Sequence, residues 1–342
     1  MKPKKVNTLV VGDSQIDHCI FTSKKGALVL EGVSTHDFTF ENFDDFPHII
    51  SDIKENSGKN KYLYIIIIAK EIIKNVNVFK QNIKNPRSQI LNFLKEDFEI
   101  SLADYYIDYM IDQHYDTNVV YTNLSASPMI VAYSAAIPRS MCDKVMEVIS
   151  DEGFKTLGME TDTNALFRLG KNVLGNKTFL HLHVRNIDCT LYISSSNVIL
   201  VERELNIGIR EILSTIQSNA GADPEQARQA LFEYGLNEEN ETEEDENKFK
   251  AISEAVDKIS LEIQRTIDYY FQQFSAEQIQ SILITGDILK VPNYGKYVQN
   301  LFNIETVCYE ASKELTLDID EKIDFDELKY ITESIGLGMK IL

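Results

Sequence analysis

The chain has 342 residues, 44% of them hydrophobic, which is enough for one large domain or two ordinary ones. Its 34 basic and 53 acidic residues leave a net charge of −19. That charge sets aside nucleic acid as a partner, because a phosphate backbone would be repelled, and argues against docking on anionic lipid through a basic patch. The opening MKPKK is basic, but no apolar run long enough for a signal peptide follows it. The most apolar stretch, Tyr62–Ala69, is too short to span a bilayer. These features predict a soluble cytoplasmic chain without direct membrane insertion.

Three strands in a meander open the chain, VNTLVVG, IDHCIFT and GALVLEG, parted by the short polar turns DSQ and SKK. A helix is predicted over Phe43–Asn56, then a buried strand at YLYIIII. A segment with its own elements follows: a strand VNVFKQNI, a helix after Pro86 with apolar spacing at Ile90, Leu91, Leu94 and Phe98, and strands YYIDYMID and PMIVAYSAAI. A helix begins after Pro138 and stops at Gly153. From Thr178 the opening pattern returns as FLHLHV, IDCTLYI and NVILVEREL. Aligned without a gap, Val10–Val11 faces His183–Val184, Ile16 faces Cys189, Ile20 faces Ile193 and Phe21 faces Ser194. A meander repeated about 170 residues later predicts two similarly built halves of an α/β or α+β protein.

Later elements are clearly punctuated. Asp223, Pro224 and Gln226 form an N-cap, a first helical position and a capping-box partner, and Gly235 is a stop. The run NEENETEEDEN carries seven acidic residues between Glu238 and Glu246 and is expected to be a solvated loop. A helix with an apolar stripe is predicted over Phe249–Phe274. QSILITGD is a buried strand running into Gly286. ITESIGLGMKIL is a helix whose Gly336 and Gly338 lie where something packs closely.

Ordinary metal and catalytic motifs are missing. Cys19, Cys142, Cys189 and Cys308 are scattered and are expected to be buried small apolar residues. His181 and His183 share a strand face but lack a third ligand at a recognisable spacing, so they are expected at a polar face or cleft edge. The acidic stretch Asp318–Leu328 has Ile323 where a calcium loop needs glycine. Tyrosine pairs such as Tyr105-Tyr106 and Tyr269-Tyr270 are expected to be half-buried strand or helix residues.

The order of these elements resembles the actin-like ATPase superfamily, and within it the PilM-type proteins of type IV pilus assembly. Three segments carry the likeness: Val131–Leu169, Leu200–Leu236 with its R-x-x-x-x-G pattern ending at Gly208, and Leu261–Ile304 with its long helix, T-G strand and following helix. The resemblance implies an α/β, actin-like (ribonuclease H-like) two-half fold with an inserted α+β subdomain. Residues 1–172 would form the first half, with the insertion at about 74–155. Residues 173–342 would form the second, with an acidic loop at 237–247. It also implies a cytoplasmic scaffold of a type IV pilus or related secretion platform, peripheral at the inner membrane. Its partner would be the N-terminal cytoplasmic peptide of a single-span membrane protein, with self-association as a further possibility. A nucleotide would bind between the halves.

The nucleotide motifs depart from the family pattern. A carboxylate at each strand end holds Mg²⁺ and glycines let backbone N–H groups reach the phosphates. The first motif corresponds to Val10, Val11, Gly12, Asp13 and Ser14, with valine in place of the metal-facing aspartate and Asp17 where the family tends to place a basic residue. The second corresponds to His183, Val184 and Arg185, and the adenosine motif to Thr285, Gly286 and Asp287. The expectation is a degenerate cleft with no catalytic residues, no resident metal and no cofactor, Mg-ATP being disfavoured. Arg185 is expected to pair with Asp287 or Asp17. The alternatives are a working ATP-binding switch resting on Ser14, Gly208 and Gly286, and an actin-fold small-molecule kinase.

Overall fold

The structure, a computed structural model, describes residues 3–80, 84–112, 120–121, 129–195, 198–237, 242–275, 278–309, 317–319 and 331–342. It resolves into two compact units. One comprises Met1–Tyr115, Pro128–Val173 and Ala311–Leu342; the other comprises Asp116–Ser127 and Leu174–Glu310.

The first unit begins with the antiparallel meander β1 (Lys5–Val11), β2 (Gln15–Lys24) and β3 (Ala27–Asp37), followed by α1 (Phe46–Ser57) and β4 (Tyr62–Ile67), which returns parallel to β1. The insertion contains β5 (Ile73–Lys80), α2 (Pro86–Asp97), β6 (Tyr105–Asp112) and β8 (Met129–Pro138); the short β7 (Val120–Tyr121) belongs to the second unit. These strands form a separate sheet in the order β5-β8-β6, with α2 on one face through Ile90 and Leu94. Next come α3 (Arg139–Asp151), β9 (Lys155–Glu160), which pairs parallel with β4, and α4 (Asp162–Leu174).

The second unit repeats the plan. β10 (Phe179–Val184), β11 (Cys189–Ser195) and β12 (Val198–Leu205) form the meander. Helices α5 (Ile209–Ala220), α6 (Pro224–Gln229) and α7 (Glu243–Gln273) follow, then β13 (Phe274–Ser275), which pairs with β7. β14 (Ser281–Gly286) returns parallel to β10, and α8 (Tyr294–Phe302) leads to β15 (Glu305–Cys308). The chain then supplies β16 (Leu317–Ile319), parallel to β3, and a C-terminal helix, Thr332–Gly338.

The internal repeat is visible in the register. The sheet orders β3-β2-β1-β4-β9 and β12-β11-β10-β14-β15 correspond strand for strand. Val11 opposite Ile16 and Val184 opposite Cys189 close the two hairpins, each by a backbone bond of 2.9 Å, from Gly12 N–H to Gln15 O and from Arg185 N–H to Asp188 O. Each second strand also carries an irregularity at one position, Ile20/Phe21 and Ile193/Ser194, the pairs matched by the gapless alignment. A bulge that recurs at equivalent sites is a built feature of the plan.

Several boundaries differ from the sequence expectation. The last segment is expected in the second half, but its described residues, 317–319 and 331–342, group with the first unit. The glycines explain this: a Cβ on Gly336 would fall on the Ala165 carbonyl and one on Gly338 would sit 2.7 Å from the Phe21 ring. The insertion is expected to run to 155, yet α3 packs into the first core, where Val145 and Ile149 meet Leu9, Ile50 and Ile65. The helix expected from Phe249 starts at Glu243, so the acidic run supplies its first turn, capped by the Thr242 hydroxyl accepting from Asp245 N–H at 3.2 Å. Carboxylates are favoured at that positive helix end. Strand β9 was not anticipated, because KTLGME lacks a clear apolar alternation. Two cysteines, Cys142 and Cys308, are only half-buried. Most of Asp318–Leu328 lies outside the described residues.

Candidate functional site

The first meander places its loop residues in structural roles. Val10 is 4% exposed and lies with Ile66, Ile68, Ala165 and Leu337, so the position that would face a metal is part of an apolar cluster. Asp13 accepts from Phe40 N–H at 3.2 Å, and the Ser14 carbonyl accepts from Phe38 N–H at 3.3 Å. Asp17 is buried and accepts from the Gln15 amide at 2.9 Å and the Thr35 hydroxyl at 2.8 Å. An added Cβ on Gly12 would sit 3.3 Å from Gln15 O, the backbone oxygen that closes the hairpin, which would have to give by a few tenths of an ångström.

In the second unit Arg185 folds onto its own hairpin. Its Nε donates to Asp188 and its Nη2 to the Thr190 hydroxyl at 3.0 Å. The expected pairing with Asp287 does not occur; Asp287 is bonded by Lys290 at 2.7 Å, one helical turn on, because the two share a short 3₁₀ turn. Asp17, the other expected partner, lies in the first unit and takes the bonds given above. Gly208 begins α5, where an added Cβ would sit 2.5 Å from Asn186 O. The Ile209 and Arg210 N–H groups donate to Arg185 O and Asn186 O at 3.1 and 2.9 Å. The first donors of that helix, the groups that attract an anion, are thus satisfied by the chain itself. Gly286 has φ +83°, and a Cβ there would fall on the Val184 carbonyl. Both retained glycines are therefore explained by backbone approach.

His181 and His183 were expected at a polar face or cleft edge, and are instead buried, 0% and 1% exposed. The Thr285 hydroxyl lies 2.7 Å from His181 Nε2 and 2.8 Å from His183 Nδ1, while His181 Nδ1 is 2.7 Å from the Tyr192 hydroxyl. One hydroxyl has one proton, so Thr285 donates to at most one ring and accepts from at least one. Burial, then the neighbouring His183, pushes the His181 pKa well below its usual value, which keeps that ring neutral. Among the described residues no three His, Cys, Asp or Glu side chains cluster as metal ligands. The donor set does not fit Mg²⁺-nucleotide: Val10 offers no oxygen, His183 shares its Nδ1 with Thr285, and Asp13 and Asp17 are already bonded.

A different site emerges where the insertion meets the first sheet. A groove of about 660 Å³ is lined by the consecutive residues Tyr106 to Met110 of β6 and by Thr156, Met159 and Glu160 of β9, with Ile67, Ile137 and Met146 contributing apolar wall. Successive strand residues point to opposite faces, so five in a row lining one groove means that the groove runs along the strand edge. Among the described residues β6 pairs only with β8 and β9 only with β4, leaving an unpaired edge on each.

The groove is rigidly framed. Lys74 of the insertion and Asp162 at the start of α4 form a buried ion pair of 2.7 Å, and the Tyr133 hydroxyl donates to Thr161 at 3.2 Å. Glu160 is held by Arg168 at 2.9 Å and Lys340 at 2.7 Å. Tyr105 packs with the α2 cluster, whereas Tyr106 is 40% exposed, donates to Asp143 at 3.0 Å and carries the Arg139 guanidinium 4.0 Å over its ring. Met110 is 59% exposed. The sequence reading missed Tyr106, Met110 and Met159. The one local signal was apolar residues on both faces of YYIDYMID, more than a strand with one solvated face requires.

The family model for the type IV pilus assembly protein PilM matches residues 23–341. The solved PilM-PilN type IV pilus biogenesis complex is similar with a TM-score of 0.73 at 12% identity, covering 100% of this chain and 99% of that one. The ethanolamine utilization protein EutJ from Carboxydothermus hydrogenoformans is similar with a TM-score of 0.54 at 8% identity, covering 99% and 90%. Such identities show the fold, which is the actin-like one expected from the order of elements. No curated protein matches the sequence at a significant level.

Proposed function

The chain belongs to the PilM family of type IV pilus assembly proteins, and on that premise we propose that its scaffold role rests on holding the cytoplasmic peptide of a single-span membrane partner in the groove between β6 and β9. The observation that carries this reading is that β6 and β9, each with an edge unpaired among the described residues, line one apolar groove. An extended peptide can add to such an edge through main-chain bonds, with pockets selecting alternate side chains. A PilN-type protein fits by analogy with the solved complex. The protein would work in the cytoplasm, at the inner membrane through that partner.

The same reading makes the protein a scaffold that does not hydrolyse ATP. The nucleotide loops keep the turns of the fold and use their side chains to close them, with Val10 in the core and the start of α5 satisfied by Arg185 O and Asn186 O. Gly208 and Gly286 lend no weight to a nucleotide switch, since close backbone contacts already demand them.

Titration calorimetry with the N-terminal tail of a PilN-type protein encoded beside this one tests the groove. Binding is expected, and Met110→Asp, which puts a charge in the apolar groove, is expected to weaken it at least about tenfold. No binding by the unaltered protein would refute the groove assignment. A thermal-shift series with Mg-ATP tests the second part: a ligand at one hundred times its Kd adds about 2.7 kcal/mol of stability, and no shift is expected here.

A further inference from the structure

The lysines of this acidic chain are not evenly spread. The first unit gathers a group of them at one end of its six-stranded sheet, the end away from the Gly12 hairpin. Lys4 O accepts from Ser23 N–H, which sets Lys4 and Lys5 beside the end of β2. The β2–β3 turn adds Lys24 and Lys25. Asn7 Nδ2 donates to the Asn60 and Tyr62 carbonyls at 3.2 and 3.1 Å, bringing Lys59 and Lys61 to the start of β1, and Lys155 N–H donates to Lys61 O at 2.6 Å. The row crosses five neighbouring strands, roughly 19 Å at the usual strand spacing.

Its charge is largely unspent. Lys5 and Lys24 share Glu31 at 2.7 and 3.4 Å. Lys4, Lys25, Lys59 and Lys61 are exposed and have no ion-pair partner among the described residues. Glu55, Asp151 and Glu152 stand in the segments just before Lys59 and Lys155, and Asp318 of β16 pairs in register with Val29 of β3. An open basin of about 550 Å³ lies between Lys4, Lys5, Lys59 and Tyr62. Tyr62 is 40% exposed, an aromatic of the kind that settles at the headgroup level of a bilayer.

We propose that this lysine row is a docking surface for anionic phospholipid headgroups. The net charge of −19 does not forbid it, because charges more than about 8 Å away are largely screened at physiological ionic strength, whereas each lysine close to an anionic surface adds to binding. Lipid is favoured over other polyanions by the exposed Tyr62 and by continuity with the groove. Strand β9 begins in the row at Lys155 and lines the groove from Thr156 to Glu160. A peptide lying along β9 therefore ends beside the lysines, where a membrane-anchored tail meets its bilayer; this last link rests on the groove assignment, while the charge argument does not.

Flotation of the full chain with phosphatidylcholine vesicles, with and without phosphatidylglycerol, tests the proposal. Binding is expected only to the anionic vesicles and is lost at high salt. At about 1 kcal/mol per lysine, the quadruple variant K4Q/K25Q/K59Q/K61Q binds about a hundredfold or more weakly. The variant is checked for an unchanged melting temperature and for tail-peptide affinity in solution, which is expected to stay unchanged and so separates this proposal from the groove. K248Q/K250Q, in α7 of the second unit, is expected to bind vesicles as the unaltered protein does. Absence of binding to anionic vesicles, equal binding by the quadruple variant, or binding to duplex DNA with no binding to vesicles would each overturn the proposal.

Discussion

In the first meander the strand-end residue Val10 lies against Ile66, Ala165 and Leu337; in the second, the matching residue His183 shares the Thr285 hydroxyl with His181. Backbone plan, hairpin closure and bulge position are the same in both. Only the side chains differ, and with them the forces. The first position is closed by dispersion and dehydration, which are indifferent to pH. The second is closed by hydrogen bonds that depend on which atoms carry protons. One plan thus tolerates two ways of filling the place where a metal-binding carboxylate would stand, and each has its own vulnerability.

The largest expected effect comes from placing a carboxylate at each strand end. Val10→Asp buries a charge among apolar groups and is expected to cost about 3–5 kcal/mol in urea unfolding. His183→Asp, which leaves the Thr285 hydroxyl free to donate to the new oxygen, is expected to cost about 1–3 kcal/mol. Equal losses at the two sites would break the comparison.

A second test uses pH. In the first unit His18 is buried with Asn7 and Ser57, and its pKa is lowered to about 4 by burial and then by His36, against an ordinary value of 6.5. The folded ring therefore binds fewer protons than the unfolded one. Its contribution is fully present above about pH 6.5 and is lost as pH falls towards 4, by about 3 kcal/mol. His181, lowered in the same direction, adds to that loss from the second unit. Unfolding curves between pH 7 and 4 should show the decline, and His18→Asn should flatten it. A pH-independent stability would contradict the neutral state assigned to both rings.

The smallest effect sharpens the polar side alone. Thr285→Val removes the hydroxyl common to both histidines and is expected to cost about 1–3 kcal/mol through unsatisfied ring nitrogens. Ile66→Val, its parallel-register counterpart beside Val10, is expected to cost about 1 kcal/mol through a lost methylene. Matching values would mean that the hydrogen-bonded column is no more demanding than apolar packing.

Much of this was legible in the chain itself. The two meanders could be aligned without a gap because strand period and hairpin turns are local properties, written in Val11–Gly12–Asp13 and Val184–Arg185–Asn186. The capping box at Asp223 and Gln226 formed as expected for the same reason. That positions 10 and 183 carry no carboxylate is plain from residue type. What filled those positions was not, since Leu337 reaches Val10 from more than 300 residues away along the chain.

The sequence by itself determined the repeat, the fold family and the presence of Val10 and His183 at matched strand ends, because each depends on neighbours in the chain or on the order of elements. Tertiary structure alone decided that the C-terminal helix returns to the first unit, that β6 and β9 line one groove, and that lysines at and beside the ends of neighbouring strands collect at one sheet end. These are meetings of segments far apart in sequence. Glycine contacts such as Gly336 on Ala165, strand order and register set them, and none of the three can be read from a local pattern of residues.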